Sequence, residues 1–431
     1  MNKYSKLIRF NKKYSINFIY AYFLLSALKG LSNMLGHEMP FTIISDIGIL
    51  FLTLEFILNN KSKKITSLIL ATIIIIILTS FFNSYSTSVL ISGIRWQLFY
   101  MLAFFVGMNK YFDKYKFFSS MLWVIFFVDI IGVYLYIFPP EGYMEFKLQG
   151  LELNYISDNL ILEMSRLSAF WPFPYWVSYG SACSYYYVLC RYFNGEIKTS
   201  YAILFILFFL CILLLAQQRL PLIFVICTTL TLFVYSIFSH TQSLKTFNKG
   251  ILFVFTSVII ILFMILPIVV DSNILDFGIN KIDEMLNSSD SSNKGNFLTS
   301  RFDLFLDHIN IKGSSLYGSG LGSYTFNPKA QILVLDNMWL AIFLESGIIG
   351  IFLYLLIFFL VIKKGLKRIK HNLFELGILS MFLLAMFGAN CLSKNTQHPI
   401  IFWICCGEIF NQYYTIYRKK ISEKKNIQQK Y

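Results

Sequence analysis

Apolar runs of about twenty residues alternate along the chain with short polar breaks rich in lysine. A helix rises about 1.5 Å per residue, so ~20 apolar residues cross a hydrocarbon core of ~30 Å. Such runs lie near 17–36, 41–58, 65–82, 88–108, 118–138, 173–193, 200–217, 220–238, 250–270, 336–362, 374–391 and 397–415. The pattern predicts an all-α polytopic membrane protein with about twelve transmembrane helices. The runs 17–36 and 173–193 contain polar residues, so the count could shift by one or two there.

The polar breaks give an independent check. Lys3, Lys6, Arg9, Lys12 and Lys13 precede the first run, and Lys61, Lys63 and Lys64 follow the second. Lys110, Lys114 and Lys116 follow the fourth, Arg191 and Lys198 the sixth, and Lys245 and Lys249 the eighth. Lys363, Lys364, Lys367, Arg368 and Lys370 follow the tenth, and Arg418, Lys419, Lys420, Lys424 and Lys425 the last. With twelve spans all of these fall on one side, which the positive-inside rule makes the cytoplasm. Both ends are then cytoplasmic, and the expected location is the inner (cytoplasmic) membrane. The N-terminal segment shows no small-residue cleavage pattern and reads as a retained anchor.

The expected organisation is a cytoplasmic tail over 1–16 and a first membrane region over 17–270, with an outer segment at 139–172. A large outer loop over 271–335, C-terminal membrane helices over 336–415 and a basic tail over 416–431 follow. In the large loop a polar run, NSSDSSNKGN, precedes FLTSRFDLFLDHI. Leu298, Phe302, Phe305 and Ile309 repeat at the spacing of one helix face, which predicts a short amphipathic helix on the outer surface. Arg301 and His308 project beside that stripe.

Composition agrees with lipid as the solvent. Of 431 residues 56% are hydrophobic and 14% charged, against roughly 25% charged in a soluble domain. The formal charge of +14 is explained by the cytoplasmic loops, so it does not call for nucleic acid. The seven cysteines are odd in number, lie within or beside the runs and show no metal spacing. No Walker loop, HExxH, GxSxG or Rossmann fingerprint is present, and no metal or cofactor is expected.

A few residues need an explanation in this setting. Arg95 lies about six residues inside the fourth run, where it either snorkels to the outer headgroups or faces a cavity as an anion-binding group. Arg219 sits at the short outer turn before Pro221, as an interface anchor or a ligand-binding group. Arg166, Trp171, Tyr175 and Trp176 precede and open the sixth run, and the rings form either an interfacial belt or platforms for sugar rings. The glycine-rich segment Gly318 to Phe326 is a flexible turn or an anion-holding nest. Asp336 and Asn337 stand at the outer mouth of the tenth run, where they cap the helix. Asp336 is alternatively a general base. Glu345, about two turns deeper, needs a partner, and Arg95 or Arg219 is the candidate on charge grounds.

Several arginines, carboxylates and aromatics thus collect on the outer side. Guanidinium groups suit phosphate, and fixed cations stabilise the charge that develops on a diphosphate leaving group. The absence of metal-ligand spacing in the outer segments points to chemistry without a metal.

The run SRFDLFLDHIN…SSLYGSGLGSYTF…LDNMWLAIFLESGIIGIFLYLL, over 300–356, resembles the O-antigen polymerase and O-antigen ligase superfamily of membrane proteins. Arg219 looks like the family's arginine at the outer turn, and Arg95 like its membrane-embedded arginine. The resemblance implies glycosyl transfer outside the cytoplasm, with undecaprenyl-diphosphate-linked oligosaccharide as donor and acceptor and undecaprenyl diphosphate as leaving group. It implies Asp336, Arg301 and Arg219 as catalytic residues. Arg95, Arg166, Asn337, Glu345, His308 and Trp171 would bind substrate. Family habit adds a chain-length regulator and a flippase as partners. The ligase branch usually has histidine where this chain has Asp336, which favours the polymerase; the ligase and a lipid-linked oligosaccharide flippase are the alternatives.

Overall fold

The computed structural model describes residues 63–83, 86–109, 112–152, 166–171, 174–238, 316–325, 337–369, 371–387, 391–392 and 398–411, with single positions 30, 31, 34, 50 and 53 before them. Arg301, His308, Asp336, the amphipathic segment 298–309 and the run 250–270 lie outside these residues.

The described elements are helical throughout. In chain order they are α1 (Lys63–Asn83), α2 (Thr87–Gly93), α3 (Ala103–Gly107), α4 (Lys114–Ile137), α5 (Tyr143–Glu152) and α6 (Tyr175–Phe193). They continue with α7 (Thr199–Ala216), α8 (Arg219–Phe238), α9 (Met338–Leu366), α10 (Leu373–Ala385) and α11 (His398–Glu408). Among the described residues, four helices are long and apolar enough to cross a membrane: Lys64–Asn83, Lys114–Ile137, Thr199–Ala216 and Met338–Leu366. Shorter apolar helices cover Leu220–Leu232 and Leu373–Ala385.

The centre of the packing is α6, which contacts α4, α7, α8, α10 and α11. Every residue from Trp176 to Cys190 is buried. This is the run that reads as least apolar, YWVSYGSACSYYYVLC, and its composition is the reason for its place. Small residues let neighbouring backbones approach, and hydroxyls find partners only inside a bundle. Gly180 packs on Ile125 of α4, and Tyr185 exchanges a 2.8 Å hydrogen bond with Thr229 of α8. The purely aliphatic and phenylalanine-rich faces point outward instead: Leu78, Phe127, Leu204, Ile226, Phe352 and Phe359 are all exposed, as lipid-facing positions should be.

Two interior carboxylates fix helix pairs. Asp129, fully buried in α4, accepts a 2.6 Å hydrogen bond from Ser181 Oγ of α6. At the end where α4 and α10 begin, Lys114 Nζ lies 2.7 Å from Glu375 Oε1 and donates to the His371 carbonyl at 3.3 Å. Asn411 adds 3.1 Å bonds to Glu408 Oε2 and to the Asn109 carbonyl.

Two runs read as single spans are interrupted. The fourth breaks into α2, a π-helical turn at Ile94–Leu98, a 3-10 turn at Phe99–Leu102, and α3. Phe99 N–H reaches back to the Ile94 carbonyl, one residue further than in an α-helix. The tenth run is broken at Gly347, where φ is 66° and ψ is −167°. The outer segment read as a loop contains α5.

Candidate functional site

The break at Gly347 is filled by the glycine-rich segment. Ser319 N–H donates to the Leu344 carbonyl at 2.9 Å, and Gly320 N–H to the Glu345 carbonyl at 3.0 Å. In an unbroken helix these carbonyls accept from Ile348 and Ile349. Ile349 N–H instead points to the Leu316 carbonyl at 3.4 Å. Irregular backbone at membrane depth persists only where protein or a cavity satisfies it, and here the loop does so. Gly318 (φ 73°), Gly320 (φ 90°) and Gly322 (φ 80°) supply the left-handed backbone. A Cβ on Gly318 would meet the Glu345 carbonyl, and one on Gly322 the Val89 carbonyl of α2.

The carboxyl of Glu345 is the anchor. It is fully buried and accepts from the backbone N–H of Gly322 (3.0 Å), Tyr324 (3.0 Å) and Thr325 (2.8 Å). Gln97 Nε2 and Thr325 Oγ1 also donate to it, and these two groups are themselves 3.0 Å apart. The five donors match a group that only accepts. Leu321 N–H reaches Ser80 Oγ of α1 at 3.1 Å, so the loop is tied to α1, α2, the π-turn and α9 at once. The backbone N–H groups of the segment therefore gather on a carboxyl of the chain itself. The arginine partner expected for Glu345 is corrected: amide, hydroxyl and backbone donors take that place.

The π-turn that carries Gln97 also carries Arg95. Arg95 is half-buried, with Nη2 shielded from solvent. That turn, the loop and the first half of α9 are brought together. Asn337 begins that half-helix: its side chain accepts from Leu340 N–H at 3.0 Å, the capping role expected of it. Met338 N–H holds the Met386 carbonyl at the end of α10 (2.9 Å).

A second cluster lies around the segment before α6. Lys147 Nζ of α5 donates to the Arg166 carbonyl at 2.8 Å. Tyr143 Oη donates to the Ala169 carbonyl at 2.8 Å, and burial pushes the Tyr143 phenol up from its ordinary range. Arg166 is half-buried. Trp171 stacks on Trp176 with ring centres 4.0 Å apart and planes at 13°, so one face of the proposed platform is taken by a neighbouring indole. Beyond Trp176 come Tyr179 and His398, whose rings are 5.6 Å apart. Arg219 is the first residue of α8.

Sequence reasoning missed Gln97, Thr325 and Ser80, whose short polar side chains give no charge signal. It also passed over Asp129 and His398. Asp129 did carry a signal, a lone carboxylate inside FFVDIIG, since an ionisable group within a span marks a packed or functional position.

Searched against protein-family models, the chain matches none, and no curated protein matches it.

Proposed function

We propose that this protein polymerises oligosaccharide repeats carried on undecaprenyl diphosphate, on the outer face of the cytoplasmic membrane. The observation that carries the reading is the convergence of three motif-bearing segments at one end of the helices. The Arg95 turn, the Gly318–Thr325 loop and the half-helix opened by Asn337 meet around Glu345. The first is far from the other two in sequence, and Arg95, a diphosphate-binding group in this reading, stands on it.

In this reading the hydroxyl oxygen of the acceptor repeat attacks the anomeric carbon of the donor glycan. The bond from that carbon to the diphosphate oxygen breaks, and its electron pair leaves with the diphosphate. Asp336 takes the hydroxyl proton. Arg95, Arg219 and Arg301 hold the growing negative charge of the diphosphate, and the anomeric configuration inverts. Arg166, His308 and Trp171 contact the glycan.

The test is a reconstituted assay: purified protein in liposomes with a lipid-linked repeat, read by gel for chain elongation. A ladder of repeats that disappears with Asp336→Ala supports the reading. Transfer only to a lipid A-core acceptor would indicate the ligase, and movement of the repeat across the bilayer without elongation a flippase.

A further inference from the structure

We infer that Glu345 is a positioning residue that acts through Arg95. This rests on the proposed polymerase reading and deepens it. The residue itself is fully buried and its oxygens already face five donors. Its reach is what matters. One donor, Gln97, stands two residues after Arg95 on the same π-turn. The others belong to the loop that closes the broken helix. The turn carrying Arg95 is therefore tied to α9 as well as to its own run.

A π-helical turn is a rare departure from the α-helical ladder, found mostly as a single turn and often at functional sites, and contacts from outside the run stabilise this one. Here such contacts include Gln97 on Glu345 and the close fit of Gly93 on the Leu321–Gly322 backbone. Without the Glu345 acceptor, the loop N–H groups and the Gln97 amide lose their common partner. The turn is then free to return to α-helical register, which rotates Arg95 away from its present direction. A displacement of about 1 Å in a group that stabilises a transition state costs about 10²-fold in rate.

The experiment measures kcat and KM for elongation by the reconstituted full-length protein, with Arg95→Ala, Glu345→Ala, Glu345→Gln and Arg95→Ala/Glu345→Ala. The expected result is a kcat lowered about 10²-fold by Glu345→Ala with KM little changed. The double variant is no slower than Arg95→Ala alone, because coupled residues are not additive. Combining Gln97→Glu with Glu345→Gln restores part of the rate lost in Glu345→Gln. In parallel, Ser80→Cys with Leu321→Cys forms an oxidative cross-link that Glu345→Ala diminishes. Additive effects of Glu345→Ala and Arg95→Ala overturn the inference while leaving the polymerase reading intact. So does a wild-type rate in Arg95→Ala or Glu345→Ala. A wild-type protein that elongates nothing overturns both, and the cross-link still reports whether Glu345 seats the loop.

Discussion

Glu345 and Gln97, 248 positions apart, are joined by a buried hydrogen bond from the Gln97 amide to the Glu345 carboxyl. The same carboxyl gathers three loop amides and the Thr325 hydroxyl. Each buried donor left without an acceptor costs about 1–3 kcal/mol. Glu345→Ala should therefore lower the thermal unfolding temperature of the detergent-solubilised protein by more than any single change at Gln97 or Thr325. A Glu345→Ala protein as stable as wild type would contradict this network.

The loop glycines should resist substitution for two reasons at once. At Gly322 the backbone is left-handed and a Cβ would meet the Val89 carbonyl. Gly322→Ala should destabilise by about 1–3 kcal/mol, the range of local strain at such positions. It should also speed proteolysis within 316–325. Gly195 has a similar φ of 69° with open space around it, so Gly195→Ala should cost less and leave loop proteolysis unchanged.

The ion pair of Lys114 with Glu375 should show the asymmetry of buried charges. Lys114→Met alone leaves a buried carboxylate facing nothing and should cost about 3–5 kcal/mol. Lys114→Met together with Glu375→Leu should recover part of that loss, because two apolar side chains replace two desolvated charges. Chemical denaturation of the purified variants measures both. A double variant less stable than Lys114→Met would contradict the account.

Ser181 Oγ is the donor to Asp129 between α4 and α6. Ser181→Ala should destabilise by about 1–3 kcal/mol, and Ser181→Thr, which keeps the hydroxyl, by less. Equal losses in the two variants would mean that packing, not the hydrogen bond, sets the cost.

Tyr143 clamps α5 to the segment before α6 through the Ala169 carbonyl. Tyr143→Phe should cost about 0.5–1.5 kcal/mol. Burial raises the folded-state phenol above its unfolded value. Its contribution is thus fully present below the unfolded value of about 10 and is lost as pH rises through the folded one. The stability difference between wild type and Tyr143→Phe should therefore stay flat through neutral pH and shrink only on the alkaline side.

Much of the helical layout was legible in the pattern of apolar runs. Helices α1, α4, α6, α7, α8, α9, α10 and α11 fall where those runs predict them, because a span must satisfy every backbone group internally and so announces itself by length and hydropathy. The breaks were not legible. Gly347 and the π-turn at Ile94–Leu98 depend on contacts with the loop at 316–325; that loop lies beyond the reach of the helix period for Gly347 and far away in the chain for the π-turn, so a local pattern carries no trace of it. The same limit explains Glu345. Its charge demanded a partner, and charge complementarity pointed to an arginine, but five neutral donors satisfy a carboxyl equally well. The capping role of Asn337 was readable because a cap is local, bonding Leu340 only three residues on. For Trp171 the ring type suggested stacking, while the identity of the stacking partner, Trp176, came only with the three-dimensional arrangement.

The most direct test of the central claim is the size distribution of lipid-linked and surface glycan in cells lacking this protein. Wild type, Arg219→Ala and Asp336→Ala would be supplied as complements, and the glycans read by gel and mass spectrometry. A polymerase predicts that single repeats accumulate on the carrier, with some still reaching the surface. Long chains should return only with the wild-type protein. Long chains left on the carrier above a bare surface, or chain lengths unchanged by the deletion, would contradict the account.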